Sequence, residues 1–128
     1  MGPRVLVADD EPSALTGLRA LLGAWGYEVE TAPNGRVALE KIAAAPPAAL
    51  ITDVVMPLMN GLELLDALRT TRPAMPVILL TAYSSFDTLL VAAAEGAFAY
   101  LPKPVDVAKL KVVLANAVTE AKLETTAT

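Results

Sequence analysis

The chain has 128 residues, 55% of them hydrophobic, a net charge of −4, and neither cysteine nor histidine. That is one domain's worth of sequence with ample apolar mass for a core, and it excludes disulfide frameworks, thiolate or imidazole metal sites and histidine catalysis. The acidic balance argues against direct nucleic-acid or anionic-lipid binding, the first residues lack a signal-peptide core, and no uncharged apolar run reaches the ~18 residues of a membrane span, so a cytoplasmic protein is expected.

"RVLVAD" reads as a buried strand. Behind it, Leu15, Leu18, Leu22 and Trp25 recur at helical steps of three and four. "YEVETA" alternates as a strand should, and "NGRVALEKIAAA" is a helix with Ala38 and Ile42 on one side, stopped by Pro46-Pro47. "AALITDVV" is a second buried strand. "GLELLDALRTT" turns Leu64, Leu65 and Leu68 inward and stops before Pro73. "PVILLTA" is a further apolar strand, "SFDTLLVAAAEG" a helix with Gly96 as its C-terminal cap, and "AFAYLP" the last strand. "DVAKLKVVLANAVTEAK" closes the domain as a helix. Leu110, Val113, Leu114, Ala117 and Val118 share its face, and Asp106 stands at its N-cap. Residues 1–122 form one domain, and 123–128 are expected to be a frayed tail or the start of a linker.

This is β-α repeated five times. Strands with almost no polar alternation are buried on both faces, which requires a parallel sheet between two helix layers. Right-handed crossovers favour an α/β, doubly wound, five-stranded parallel sheet of flavodoxin-like order 2-1-3-4-5, with helices on both faces. Its ligand crevice lies beyond the carboxyl ends of the strands.

The polar residues at those ends are Asp9 and Asp10 after strand 1, Asp53 at strand 3, Thr81 at strand 4 and Lys103 after strand 5. Each has a plain reading alone: Asp10 as a cap for the first helix, Asp53 as a turn brace, Thr81 as a strand former, Lys103 as a solvated loop charge. Together, on one rim with apolar strands behind, they make a site. Clustered carboxylates disfavour full ionisation, and a divalent cation removes that penalty. An all-oxygen donor set selects Mg²⁺, or Mn²⁺, over zinc or copper. Lys103 and Thr81 suit the equatorial oxygens of a phosphoryl group in transfer, and a carboxylate beside Mg²⁺ is a competent nucleophile.

The chain resembles the receiver domains of two-component response regulators. The resemblance rests on "DDE" after strand 1, "DVVMPLMNG" after strand 3, "TAYSS" after strand 4 and "YLPKP" around strand 5. The spacing D-x-x-M-P-x-x-x-G from Asp53 to Gly61 is its most specific part. The resemblance implies that Asp53 is the phosphoacceptor and that Asp10 ligates Mg²⁺ directly, Asp9 mainly through water. The Val55 backbone carbonyl would be a further metal ligand, and Thr81 and Lys103 would hold the phosphoryl oxygens. Tyr100 would be the aromatic that turns inward when Thr81 moves, and Lys103-Pro104 would be a cis peptide. "TAYSSFDTLLVAAAEGAFAYLPKP" looks most like the receivers of nitrogen-regulator-type enhancer-binding activators, which carry further modules. The chain is then a stand-alone receiver or the front of a longer protein, and its polar tail favours the front.

The resemblance further implies a switch rather than a turnover enzyme, phosphorylated by a histidine kinase or a histidine phosphotransfer protein. The apolar fourth helix, around Leu89, Leu90 and Val91, is expected to be an output surface, including for a phosphorylation-dependent homodimer. Val55 and Tyr83, two positions after the Asp and the Thr, do not suit the orienting of water, so slow self-hydrolysis is expected. Three rivals use the same features. A flavin mononucleotide electron carrier needs a phosphate cradle where "DDEPSA" is acidic. A Mg²⁺ phosphatase with its nucleophile after strand 1 wants two Asp separated by one residue. A degenerate receiver acting only as a binding module would not keep all five site residues.

Overall fold

The computed structural model describes residues 2–72, 74–82 and 91–127, with side chains described as far as Glu120. Five strands, β1 (Arg4–Ala8), β2 (Glu28–Ala32), β3 (Ala49–Asp53), β4 (Val77–Thr81) and β5 (Ala99–Pro102), form one sheet in the order β2-β1-β3-β4-β5. Every pairing is parallel, as continuous apolar strands require. The helices are α1 (Pro12–Ala24), α2 (Gly35–Ala44), α3 (Gly61–Thr71) and a C-terminal helix (Val107–Ala127), and residues 91–94 are also helical.

Strand alternation sorts the core into two layers. Leu6, Leu50 and Leu79 meet Ala38 and Ile42 of α2, Leu64 and Leu68 of α3, and Ala92. Val5, Val7, Ile51, Ile78 and Leu80 meet Leu22 of α1 and Leu110, Leu114 and Ala117 of the C-terminal helix. Each fully buried Leu or Ile contributes about 1.5–3 kcal/mol of burial, so the sheet is clamped from both sides.

Local chemistry sets the helix starts. Asn34 accepts from Val37 N–H at 2.9 Å, and Asp106 accepts from Lys109 N–H at 3.1 Å. Asn60 and Glu63 form a reciprocal capping box on α3. The cap role considered for Asp10 does not occur: Glu11 is the N-cap of α1, makes no side-chain cap bond, and Pro12 starts the helix. Gly96 takes φ +84°, and Ala97 N–H returns to the Ala92 carbonyl at 3.0 Å, the αL ending expected of it.

The C-terminal helix runs past Lys122 to Ala127. No Gly or Pro follows Lys122 to stop it. Residues 83–90, which include Tyr83 and the first part of the fourth predicted helix with Leu89 and Leu90, lie outside the described residues. No helix among the described residues is long and apolar enough to cross a membrane.

Candidate functional site

Register builds the site. Ala8 pairs with Thr52, so the next residues, Asp9 and Asp53, leave adjacent strands at the same level. Thr81 pairs with Pro102 on the other side, which delivers Lys103 to the same rim. Lys103 N–H donates to the Thr81 carbonyl at 2.8 Å, and the Lys103-Pro104 peptide is cis. The backbone thus fixes where the lysine side chain starts.

Lys103 Nζ lies 2.9 Å from Asp9 Oδ2 and 2.9 Å from Asp53 Oδ2. The other oxygen of each acid is held by backbone. Asp9 Oδ1 accepts from Glu11 N–H at 3.0 Å, and Asp53 Oδ1 accepts from Val55 N–H at 3.2 Å. Asp9 is 2% exposed, a burial that a carboxylate bears only when paired. Burial works to lower the Lys103 pKa, but its hydrogen bonds to Asp53 and Asp9, and their charges, prevail and raise it.

Asp10 is exposed at the mouth, yet its carboxylate belongs to the cluster. One oxygen from each of Asp9, Asp10 and Asp53 lies within 4.8 Å of the others. Oxygens bound at about 2.1 Å to one Mg²⁺ are at most about 4.2 Å apart. The three acids therefore fit a cation with slight closure, or with one of them bound through water. One ammonium against three carboxylates also leaves a net negative site, suited to a divalent cation.

Thr81 is fully buried at the end of β4. Tyr100 pairs with Leu79, two residues before Thr81, so alternation puts Tyr100 and Thr81 on the same sheet face. Tyr100 is half-buried against the α2–α3 layer, and that burial raises its phenol pKa. Val55 is 51% exposed on the loop after Asp53. Gly61 has its own reason to be glycine, because a Cβ there would stand 2.3 Å from the Asp53 carbonyl oxygen. Beside the acids, a cleft of about 390 Å³ runs between α1 and the chain after β5, lined by Ala14, Leu18, Leu21, Pro104 and Val105.

Two features escape a reading of motifs. One is the closeness of Gly35 to the β3–α3 loop, which only the fold brings about. The other is the Asn60–Glu63 capping box, whose N-x-x-E spacing is visible in the sequence but falls inside the longer motif.

A parallel 2-1-3-4-5 sheet with helices on both sides places the chain in the CheY-like, flavodoxin-type class of α/β proteins. It belongs to the response regulator receiver domain family, whose signature covers residues 5–115. It is 43% identical over 119 residues to the transcriptional regulatory protein ZraR of Klebsiella oxytoca, covering 93% of this chain and 27% of that one. It is 37% identical over 121 residues to the DNA-binding transcriptional regulator NtrC of Rhizobium meliloti, covering 94% of this chain and 25% of that one. The chain thus spans about a quarter of the length of these curated relatives. Among solved structures, a response regulator receiver domain protein from Clostridium thermocellum superimposes with a TM-score of 0.89 at 35% identity, covering 94% of this chain and 98% of that one. The chemotaxis protein CheY4 of Vibrio cholerae does so with a TM-score of 0.85 at 34% identity, covering 91% and 99%.

Proposed function

We propose that the domain is a phosphorylation switch in which Asp53 accepts a phosphoryl group from the phosphohistidine of a histidine kinase or histidine phosphotransfer protein. A lone pair of the Asp53 carboxylate forms the new O–P bond. The P–N bond breaks, its electrons stay on the donor imidazole nitrogen, and that nitrogen takes up a proton. Lys103 sits beside the attacking carboxylate and is placed to follow the charge onto the phosphoryl oxygens. The Thr81 hydroxyl is the second protein donor to them. Val55 N–H holds the other oxygen of Asp53 and so aims the nucleophile.

Asp9, Asp10, Asp53 and the Val55 carbonyl would hold Mg²⁺, or Mn²⁺, which when bound neutralises charge on the phosphoryl group and the acids. The apolar cleft beside Asp9 and Lys103 offers room for a partner to approach the acids.

The product carries about two negative charges where the carboxylate carried one. Lys103 and Thr81 then gain a stronger partner, and Tyr100, on the face of Thr81, turns toward the space that Thr81 leaves. Reversing a 1:99 equilibrium needs about 5.5 kcal/mol. Charge-assisted hydrogen bonds at about 1.5–3 kcal/mol each are of that order. The change spreads to the helical residues 91–94, to β5 and to the C-terminal helix. The relatives are named as transcriptional regulators and are about four times as long, so we read the domain as the regulatory part of such a protein. A second copy of the chain is one proposed partner of its phosphorylated form.

The observation that carries this reading is the single Lys103 ammonium bridging Asp9 and Asp53 within an all-oxygen acid cluster. Mass spectrometry after mixing with acetyl phosphate and MgCl₂ tests it. One added phosphoryl group is expected, lost with EDTA and lost in Asp53→Ala. An unmodified protein, or equal labelling of Asp53→Ala, overturns it.

A further inference from the structure

We infer that Gly35, at the start of α2, is a positioning residue for the phosphoacceptor loop, an inference that rests on the role of Asp53 proposed above. Gly35 N–H donates to the Met59 carbonyl at 3.1 Å. A Cβ on Gly35 would stand 2.3 Å from that oxygen and 2.9 Å from Met59 Cβ, closer than side-chain carbons approach. Its backbone φ is not in the positive region, so glycine is required here for space alone. Any side chain must push Met59 away or push α2 back.

α2 is the stiffer of the two. Asn34 caps it through Val37 N–H, and Ala38 and Ile42 are sealed in the core at 0% and 1% exposure. The loop must therefore yield, and it has little slack. Its base is closed by Gly61 N–H donating to the Val54 carbonyl at 2.8 Å. Met56 is buried, with the Thr52 hydroxyl 3.8 Å from its sulfur, Pro57 has a fixed φ, and Leu58 already sits at φ 67°. A displacement at Met59 passes along these residues to Val55. There the N–H holds Asp53 Oδ1, and the carbonyl is the proposed metal ligand. Gly35 thus sets, from a different βα unit, where the loop stands relative to the reacting carboxylate.

The test compares Gly35→Ala with Ile42→Val, a buried change farther along the same helix. The readouts are MgCl₂ affinity by calorimetry and the initial rate of labelling by acetyl phosphate, with urea unfolding to compare stability. Misplacing a catalytic group by about 1 Å costs on the order of 100-fold, so Gly35→Ala is expected to lose roughly 10- to 100-fold in rate and to bind Mg²⁺ more weakly, while Ile42→Val keeps both. Wild-type rate and affinity in Gly35→Ala, or equal losses in Ile42→Val, overturn the inference and leave the Asp53 reading standing. A wild-type protein that takes up no phosphoryl group overturns the Asp53 reading itself. If Gly35→Ala does not fold, amide exchange at Gly35 in the wild type decides. Slower exchange on adding Mg²⁺ with beryllofluoride supports the coupling, and unchanged exchange overturns it.

Discussion

Lys103 Nζ stands 2.9 Å from the Asp53 carboxylate although 50 positions separate the two residues in the chain. The same ammonium meets Asp9, 94 positions away, so one charge ties β1, β3 and the turn after β5. Lys103→Ala leaves Asp9 buried at 2% exposure without its counter-ion. Without Mg²⁺ we expect a loss of about 2 kcal/mol in urea unfolding, within the range for hydrogen bonds to charged groups. Saturating Mg²⁺ should shrink that loss, because the cation replaces the ammonium as partner to the acids. Labelling by acetyl phosphate should fall about 100-fold or more if Lys103 is the donor to the transferring group proposed above. An equal loss of stability with and without Mg²⁺ would mean that the lysine acts through other contacts.

Asp10→Asn should have opposite effects in two buffers. Asp10 is exposed and within 4.8 Å of two other acids. Removing one like charge at that separation relieves about 0.5 kcal/mol in screened water, so the variant should be slightly more stable without Mg²⁺. It should gain less from added Mg²⁺ than the wild type, and the order of stabilities should reverse. Urea midpoints at zero and millimolar MgCl₂ measure this. Parallel shifts in both proteins would remove Asp10 from the proposed metal site.

Much of this site was legible because parallel strands leave few choices. Apolar runs such as "VILLT" have to be buried on both faces, and that places Asp9, Asp53, Thr81 and Lys103 on one rim before any coordinate is known. The roles within the rim were less legible. Asp9 and Asp10 are neighbours in sequence, yet one is buried against Lys103 and the other faces solvent, because β1 ends at Ala8 and the chain turns at once. Asp10 was a reasonable cap by residue type, but the turn hands the capping position to Glu11. The approach of Gly35 to Met59 joins two loops that have no pattern in common, and only the assembled sheet brings them together. The C-terminal helix continues to Ala127 for want of a stop signal: Thr125 and Thr126 are weak helix formers, which is not enough to end a helix already under way.

The capping box that starts α3 should act on stability. Asn60 accepts from Glu63 N–H at 2.8 Å, and Glu63 accepts from Asn60 N–H at 3.0 Å. Asn60→Ala is expected to cost about 1 kcal/mol in urea unfolding, and Asn60→Asp much less, since Asp caps as well as Asn. Equal losses in the two variants would mean that a contact other than the cap is at stake.

The lifetime of the phosphorylated state should depend on Val55. Its N–H holds Asp53 Oδ1, and the residue is 51% exposed. An isopropyl group there neither donates nor accepts a hydrogen bond, so it does not orient a water for in-line attack on the phosphoryl group. A half-life on the order of tens of minutes is expected, corresponding to a barrier of roughly 22 kcal/mol. Val55→Asn keeps the backbone N–H and adds an amide that orients water, so it should shorten the half-life, by about tenfold for each 1.4 kcal/mol taken from the barrier. Loss of label from purified protein, followed by mass spectrometry after removal of acetyl phosphate, measures both. Decay of the wild type within seconds would refute the lifetime, and an unchanged rate in Val55→Asn would show that another group controls the water.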